Sequence, residues 1–167
     1  MKKYISILFA LLLVAFTGCD VETDTDPGGT GVQTMAGHWV VTFTTPTGKA
    51  YGPMDLYTYN TAADNGTEMW INDKNGFWNF NIKCPVTYSS LTFATGSTPS
   101  TSIATNKDGS AYDITVAITD GKIVLNGAKS PAGHVTDAIS FGVEFQDDPG
   151  SVYTCTGYRY TGFTEDN

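Results

Sequence analysis

The sequence predicts an all-β fold, a single antiparallel up-and-down barrel of about eight to nine strands, and three observations carry that expectation. From residue 36 onward Thr, Val, Ile, Tyr, Phe and Trp recur in runs that alternate apolar and polar positions, the period of a strand with one face on a core. A turn signal built from Gly, Asn, Asp or Pro returns about every ten residues. No segment carries the spacing of a long amphipathic helix. Short connections favour a meander, and closing it into a barrel removes the edges that an open sheet would expose. A Greek-key sandwich is the competing arrangement.

The N-terminus belongs to export and not to the fold. Lys2 and Lys3 precede an apolar run from Tyr4 to Phe16, too short to span a bilayer, and Phe16-Thr17-Gly18-Cys19 resembles a lipobox. Residues 1–18 are therefore expected to be a lipoprotein signal peptide, with Cys19 lipidated and tying the chain to a membrane. Residues 19–34 alternate acids with Thr and end rich in glycine, so they read as an acidic tether whose extended reach is about 50 Å. Acids just behind a lipidated cysteine also resemble the export signal that sends some lipoproteins to the cell surface. The expected location is the cell envelope, at the outer membrane. Residues 35–167 are left for one barrel domain.

The strands follow in order. Trp39 to Thr45 places Trp39, Val41 and Phe43 on one face. Met54 to Asn60 and Glu68 to Asn72 follow, and Asp73-Lys74-Asn75-Gly76 reads as a hairpin turn because Asn-Gly accepts positive φ at low cost. The clearest strand is then expected over Phe77 to Cys84, ended or bent by Pro85, with Val86 to Thr95 as the next. Tyr112 to Thr119 and Lys122 to Asn126 are expected to flank a turn at Asp120-Gly121. After a glycine-rich loop over residues 127–137, Ile139 to Gln146 and Val152 to Phe163 complete the set.

Charge excludes one class of partner. The full chain carries −8; removing Lys2 and Lys3 leaves seven basic residues against seventeen acidic ones, a charge of −10, which makes nucleic acid a poor ligand. Once Cys19 is acylated, Cys84 and Cys155 remain, either as a disulfide suited to an oxidising compartment or as two buried thiols.

Several segments together resemble a known family: Ala36-Gly37-His38-Trp39, then Tyr59 to Gly66, Met69-Trp70-Ile71 with Phe77-Trp78-Asn79-Phe80, and the closing Gly157 to Phe163. They are similar to the lipid-binding putative hydrolase family of bacterial lipoproteins. That resemblance implies a lipocalin-like, calycin-type barrel and a lipid or fatty-acid-like ligand, and it brings no catalytic residues with it.

The chain's own chemistry points away from catalysis. Among its histidines, His38 begins a strand, while His134 lies near Ser130 and Asp137 and is the weak candidate for a hydroxyl–imidazole–carboxylate grouping. No Gly-x-Ser-x-Gly elbow is present. No pairing of Asp55, Glu68, Asp113 and Glu144 into a glycosidase-like couple can be read from a linear sequence. Neither a metal site nor a cofactor is expected, since the histidines and cysteines lack ligand spacing.

Aromatics are the stronger signal. If the barrel is hollow, Tyr59, Trp70, Trp78 and Phe80 are expected to line its pocket, with Arg159, the sole arginine, contacting a polar or anionic group at the rim or else pairing with an acid. The expected function is a lipid-anchored envelope module that binds a small apolar or amphipathic molecule. Two alternatives stand beside it, a weak lipid-ester hydrolase and a filled barrel with a structural or accessory role.

Overall fold

Eight antiparallel strands run in sequence order around one closed barrel in the computed structural model, which describes residues 28–102 and 105–166. They are β1 (Gly37–Thr44), β2 (Ala50–Asn60), β3 (Glu68–Asn72), β4 (Asn81–Thr87), β5 (Thr92–Pro99), β6 (Thr115–Lys129), β7 (Val135–Phe145) and β8 (Tyr153–Arg159). β1 closes the sheet on β8, with Trp39 opposite Arg159 and Thr44 opposite Thr154. The meander expected from short connections is thus the fold, and the sandwich is not. Turns β1–β2, β3–β4, β5–β6 and β7–β8 lie at one end, called upper here, while residues 30–36 enter at the lower end.

Alternation decides which side chains face inward. Trp39, Val41 and Phe43 of β1, Met69 and Ile71 of β3, Ile82 and Cys84 of β4, and Ile139, Phe141, Val143 and Phe145 of β7 are all buried. Rings meet across the interior between strands that are not neighbours: Phe43 and Phe141 are 6.3 Å apart edge to face, and Phe93 and Phe141 are 5.8 Å apart. Side chains therefore fill the space between the walls, as an eight-stranded barrel permits.

Three departures from the expected elements have local causes. Asp120-Gly121 is a bulge inside one long strand and not a hairpin turn, because β6 advances three residues from Thr119 to Lys122 while β7 advances two, from Gly142 to Ser140. Asp120 has φ 52, and a Cβ on Gly121 would stand 2.3 Å from the Phe93 carbonyl oxygen, so the close approach of β5 requires glycine. The expected loop over 127–137 shortens to residues 130–134, since β6 runs on to Lys129 through a second bulge. Val86 and Thr87 belong to β4, where a short 3-10 turn over Tyr88–Ser90 and Leu91 at φ 54 reverse the chain before β5.

The seam between β4 and β5 is thin, holding only the pairs Val86 with Phe93 and Thr87 with Thr92. Val86 donates its N–H to Thr67 on the β3 side. By strand alternation the Pro85 nitrogen faces the seam, where it has no hydrogen to give. Pro85 stays within the strand, opposite Glu68, because its missing donor falls on the side where pairing is sparse.

Candidate functional site

The upper end is closed by a loop where the sequence predicts a strand. Residues 77–80 do not extend β4; they wind around the Asp73 carboxylate, which is fully buried. It accepts backbone N–H groups from Asn75 (3.1 Å), Phe77 (3.1 Å), Trp78 (2.8 Å), Asn79 (2.8 Å) and Phe80 (2.9 Å). A carboxylate with acceptor capacity on both oxygens can hold such a turn where a ladder of carbonyls cannot.

That winding lays Phe77 and Trp78 over the interior. Phe77 stacks on Phe43 at 4.3 Å and meets Tyr153 edge-on at 5.3 Å. Trp78 stacks on Phe145 at 4.5 Å. Both cap rings are only half-buried, and their outer edges border a shallow groove with Asn75, Tyr112 and Asp147. Asp147 ties the rim together, accepting from Trp78 Nε1 (2.9 Å) and Tyr112 Oη (2.5 Å), while Tyr153 Oη donates to Asp148 at 2.5 Å. Burial, then the hydrogen bond to Asp147, pushes the Tyr112 phenol up to about 12. The bond to Asp148, then burial, pushes Tyr153 up to about 12. Both phenols therefore stay protonated donors around neutral pH.

The lower end is built from a different kind of contact. Arg159 lies over the Trp39 ring with its guanidinium carbon 4.3 Å from the ring centroid. Its nitrogens donate to Asp137 (2.9 Å), Ala36 O (2.5 Å) and Thr34 O (2.7 Å). Trp39 Nε1 donates to Thr58 Oγ1, which donates in turn to Met35 O at 2.6 Å. Val32 and Met35 are buried beneath this network. Gly37 leaves room for it, since a Cβ there would stand 2.1 Å from Arg159 Nη1.

The residues expected to line a pocket are thereby scattered. Phe80 is inside, in the core. Trp78 is at the upper end. Tyr59 and Trp70 lie on the outer wall, stacked with centroids 6.5 Å apart, because their strands turn Thr58, Met69 and Ile71 inward. Arg159 is engaged by protein acceptors, so its expected role as a ligand contact at the rim gives way to the pairing alternative.

His134 and Ser130 do meet, but not with Asp137. Ser130 Oγ stands 3.5 Å and Asp166 Oδ2 3.0 Å from the same ring nitrogen, Nδ1, while Nε2 faces Glu165 at 3.7 Å. A relay needs the acid on one imidazole nitrogen and the hydroxyl on the other. Ser130 Oγ also accepts the His134 N–H, so the grouping folds a turn. Burial raises the Asp166 carboxyl, but hydrogen bonds from Thr161, Ser130, the Ala132 N–H and His134 outweigh it and hold the group well below the carboxylate range. His38 pairs with Asp55 at 2.7 Å and stacks between Tyr57 and Tyr160 on the outer wall.

Cys84 and Cys155 are free and buried, so the disulfide alternative is corrected to two core thiols. Burial pushes Cys84 up to about 12 and Cys155 well above the ordinary thiol value, which removes them as thiolate nucleophiles. Among the described residues no group of three or more His, Cys, Asp or Glu could hold a metal ion. Cys19 lies outside the described residues.

Sequence reasoning missed the Asp73 carboxylate because Asp-Lys-Asn-Gly satisfies a tight turn by itself. The sequence carries no signal of it, since Trp78-Asn79-Phe80-Asn81-Ile82 alternates as a strand does, and the break shows only in the structure, where Asn79 takes φ 57. A family model described as lipid-binding putative hydrolase matches residues 24–164, most of the chain. No curated protein matches it.

Proposed function

Because the chain belongs to the lipid-binding putative hydrolase family, we propose that it binds the apolar tail of a small amphipathic, fatty-acid-like lipid at the upper end of the barrel, between the Phe77–Trp78 cap and the aromatic floor beneath it. The observation that carries this reading is the cap itself: two large rings, half-buried, outside any strand ladder, and hung on one carboxylate over an apolar interior. A tail that replaces the cap rings against Phe43, Phe145 and Tyr153 recovers the apolar burial that their displacement exposes, at about 25 cal/mol per Å² on either side. Displacing rings held by a loop costs less than parting a strand from its ladder.

The same reading places the protein in the cell envelope, with Cys19 lipidated and the chain ahead of residue 30 as tether; residues 30–34, expected in that tether, instead belong to the barrel's lower end, where Val32 is buried and Thr34 accepts from Arg159. The described chain enters the barrel through residues 30–36 at the lower end, so a tether would join the barrel at the end opposite the cap. Cys19→Ser should abolish incorporation of a clickable palmitate analogue in a bacterial host. Retention of the label by that variant would overturn the anchor. Nothing in the arrangement of Ser130, His134 and Asp166 favours the ester-hydrolase alternative.

The tail reading is tested with the protein's three tryptophans as position markers, Trp39 at the lower end, Trp70 on the outer wall and Trp78 in the cap. Doxyl-labelled stearate should quench the wild-type and Trp70→Phe proteins alike, and Trp78→Phe should lose most of the quenching. Quenching that survives in Trp78→Phe, or no quenching together with no lipid adduct in native mass spectrometry, would overturn it and leave a filled barrel as the better account.

A further inference from the structure

The outer side of the same loop carries a groove of another chemistry. It indents the wall between β3, β4 and the segment after β5, has a volume of about 350 Å³, and is lined by Asn72, Asn75, Asn79, Asn81, Thr101 and Lys74, among others. That volume is at the small end of ligand sites, about 300–1,000 Å³. In a chain of charge −8 its lining includes four amides, hydroxyls and one cation, and no carboxylate.

We propose that this groove binds the hydroxyl-bearing face of a neutral saccharide. An amide presents an acceptor and a donor side by side, the complement of two neighbouring hydroxyls, each of which both gives and takes a hydrogen bond. The amides are already aimed. Asn79 Oδ1 accepts from Ser102 Oγ at 2.7 Å, Asn72 Oδ1 accepts the Lys74 N–H at 2.7 Å, and Asn81 takes the Tyr59 hydroxyl at 3.2 Å while giving to Thr101 at 3.2 Å. Asn79 Nδ2 and the side-chain amide of Asn75 have no protein partner among the described residues. Asn75 and Asn79 sit at φ 66 and 57, conformations fixed by the N–H bonds to Asp73, so the backbone that carries these two amides needs little ordering on binding. Tyr59 lies behind the lining, where its hydroxyl donates to Asn81 at 3.2 Å and accepts from Asn72 at 3.5 Å and so holds both amides in place.

A sugar of this kind comes either from a free glycan or from the headgroup of a glycolipid. The second source rests on the tail reading above, since the loop that offers these amides outward lays Phe77 and Trp78 over the interior. The first source is independent of it.

Side-chain amide resonances of Asn72, Asn75, Asn79 and Asn81 are followed by NMR on the full mature chain against maltose, cellobiose, lactose and diacetylchitobiose to about 20 mM, the range of weak sites, and against dodecyl maltoside below its micelle concentration and laurate. At least one disaccharide should shift these resonances saturably. Asn79→Gly keeps the positive φ while removing the amide and should weaken the response about tenfold, as should Asn81→Ala. Dodecyl maltoside tighter than maltose by about tenfold or more identifies a glycolipid headgroup; equal affinities identify a free glycan. Shifts with laurate but with no sugar would overturn the saccharide site and leave the tail reading standing. Shifts with sugars but not laurate would do the reverse. Sugar shifts unchanged in both variants, with their backbone spectra native-like, would also overturn the site.

Discussion

The two ends of this barrel are closed by opposite means. At the lower end one cation spans an aromatic ring, two backbone carbonyls and a carboxylate, so the contacts are directional and tie β8 to β1, β7 and the entering chain. At the upper end the lid is apolar, half-exposed, and tied to the barrel by ring contacts and the rim aspartates, while its own shape depends on Asp73. Directional bonds with fixed partners resist displacement, whereas apolar contact is transferable to any apolar surface of similar shape. The lower closure is suited to staying shut. The upper one can exchange its own rings for a ligand's.

The largest effect that would break this contrast is expected at Arg159. Arg159→Ala leaves Asp137 Oδ2 and two carbonyls without this donor, while Asp137 Oδ1 keeps the Asn126 N–H, and should cost about 3 kcal/mol in urea unfolding. Arg159→Lys should restore little, because an ammonium cannot reach three acceptors from above the Trp39 ring. A loss under 1 kcal/mol, a threshold of about one ordinary hydrogen bond, would show that the lower closure is not held by this fork.

Asp73→Asn comes next, at about 2 kcal/mol, since a neutral amide replaces one acceptor oxygen by a donor amid five converging N–H groups. Amide exchange should rise first across 75–80 while Ala36 and Tyr160 remain protected. Equal loosening at both ends would break the claim that they are independent.

Alkaline titration should sharpen the comparison further. Tyr112 and Tyr153 ionise in the unfolded chain at 10.0 but in the fold at about 12, so their contribution is complete below pH 10 and is lost as pH rises toward 12. The cap should loosen in that window before the lower end does, read as the separate fluorine resonances of 5-fluorotryptophan at Trp78 and Trp39 in the Trp70→Phe protein. The smallest effect is expected in acid at the turn over residues 130–134. The Asp166 carboxyl is held below its unfolded 3.8, so its contribution is present above that pH and fades as pH falls below it. The stability difference between wild type and Asp166→Asn should shrink below pH 4, a point set by that same 3.8 value. A constant difference would mean that the carboxylate's charge is not what holds the turn.

Much of the fold was legible because period-two alternation is local. Trp39, Val41 and Phe43 announce a buried face without knowledge of any partner strand. Misreadings cluster where one residue pair fits two conformations. Asp120-Gly121 suits a hairpin turn or a bulge, and only the approach of Phe93 from β5 selects the bulge. Of the site, the aromatic content was legible and the placement was not. Tyr59 and Trp70 read as pocket lining because bulk and polarity alone do not say which face of a strand is inward when both faces carry large residues.

The sequence by itself determined the class of fold, the meander order and the family, since these rest on periodicities and residue sets within reach of one another along the chain. Only the tertiary structure decided that the Asp73 carboxylate gathers the backbone of 75–80, that Arg159 reaches residues 34 and 36, and that the asparagines share one groove. Those contacts join residues through space, and hydrogen-bond geometry at a few ångströms has no signature in a one-dimensional pattern.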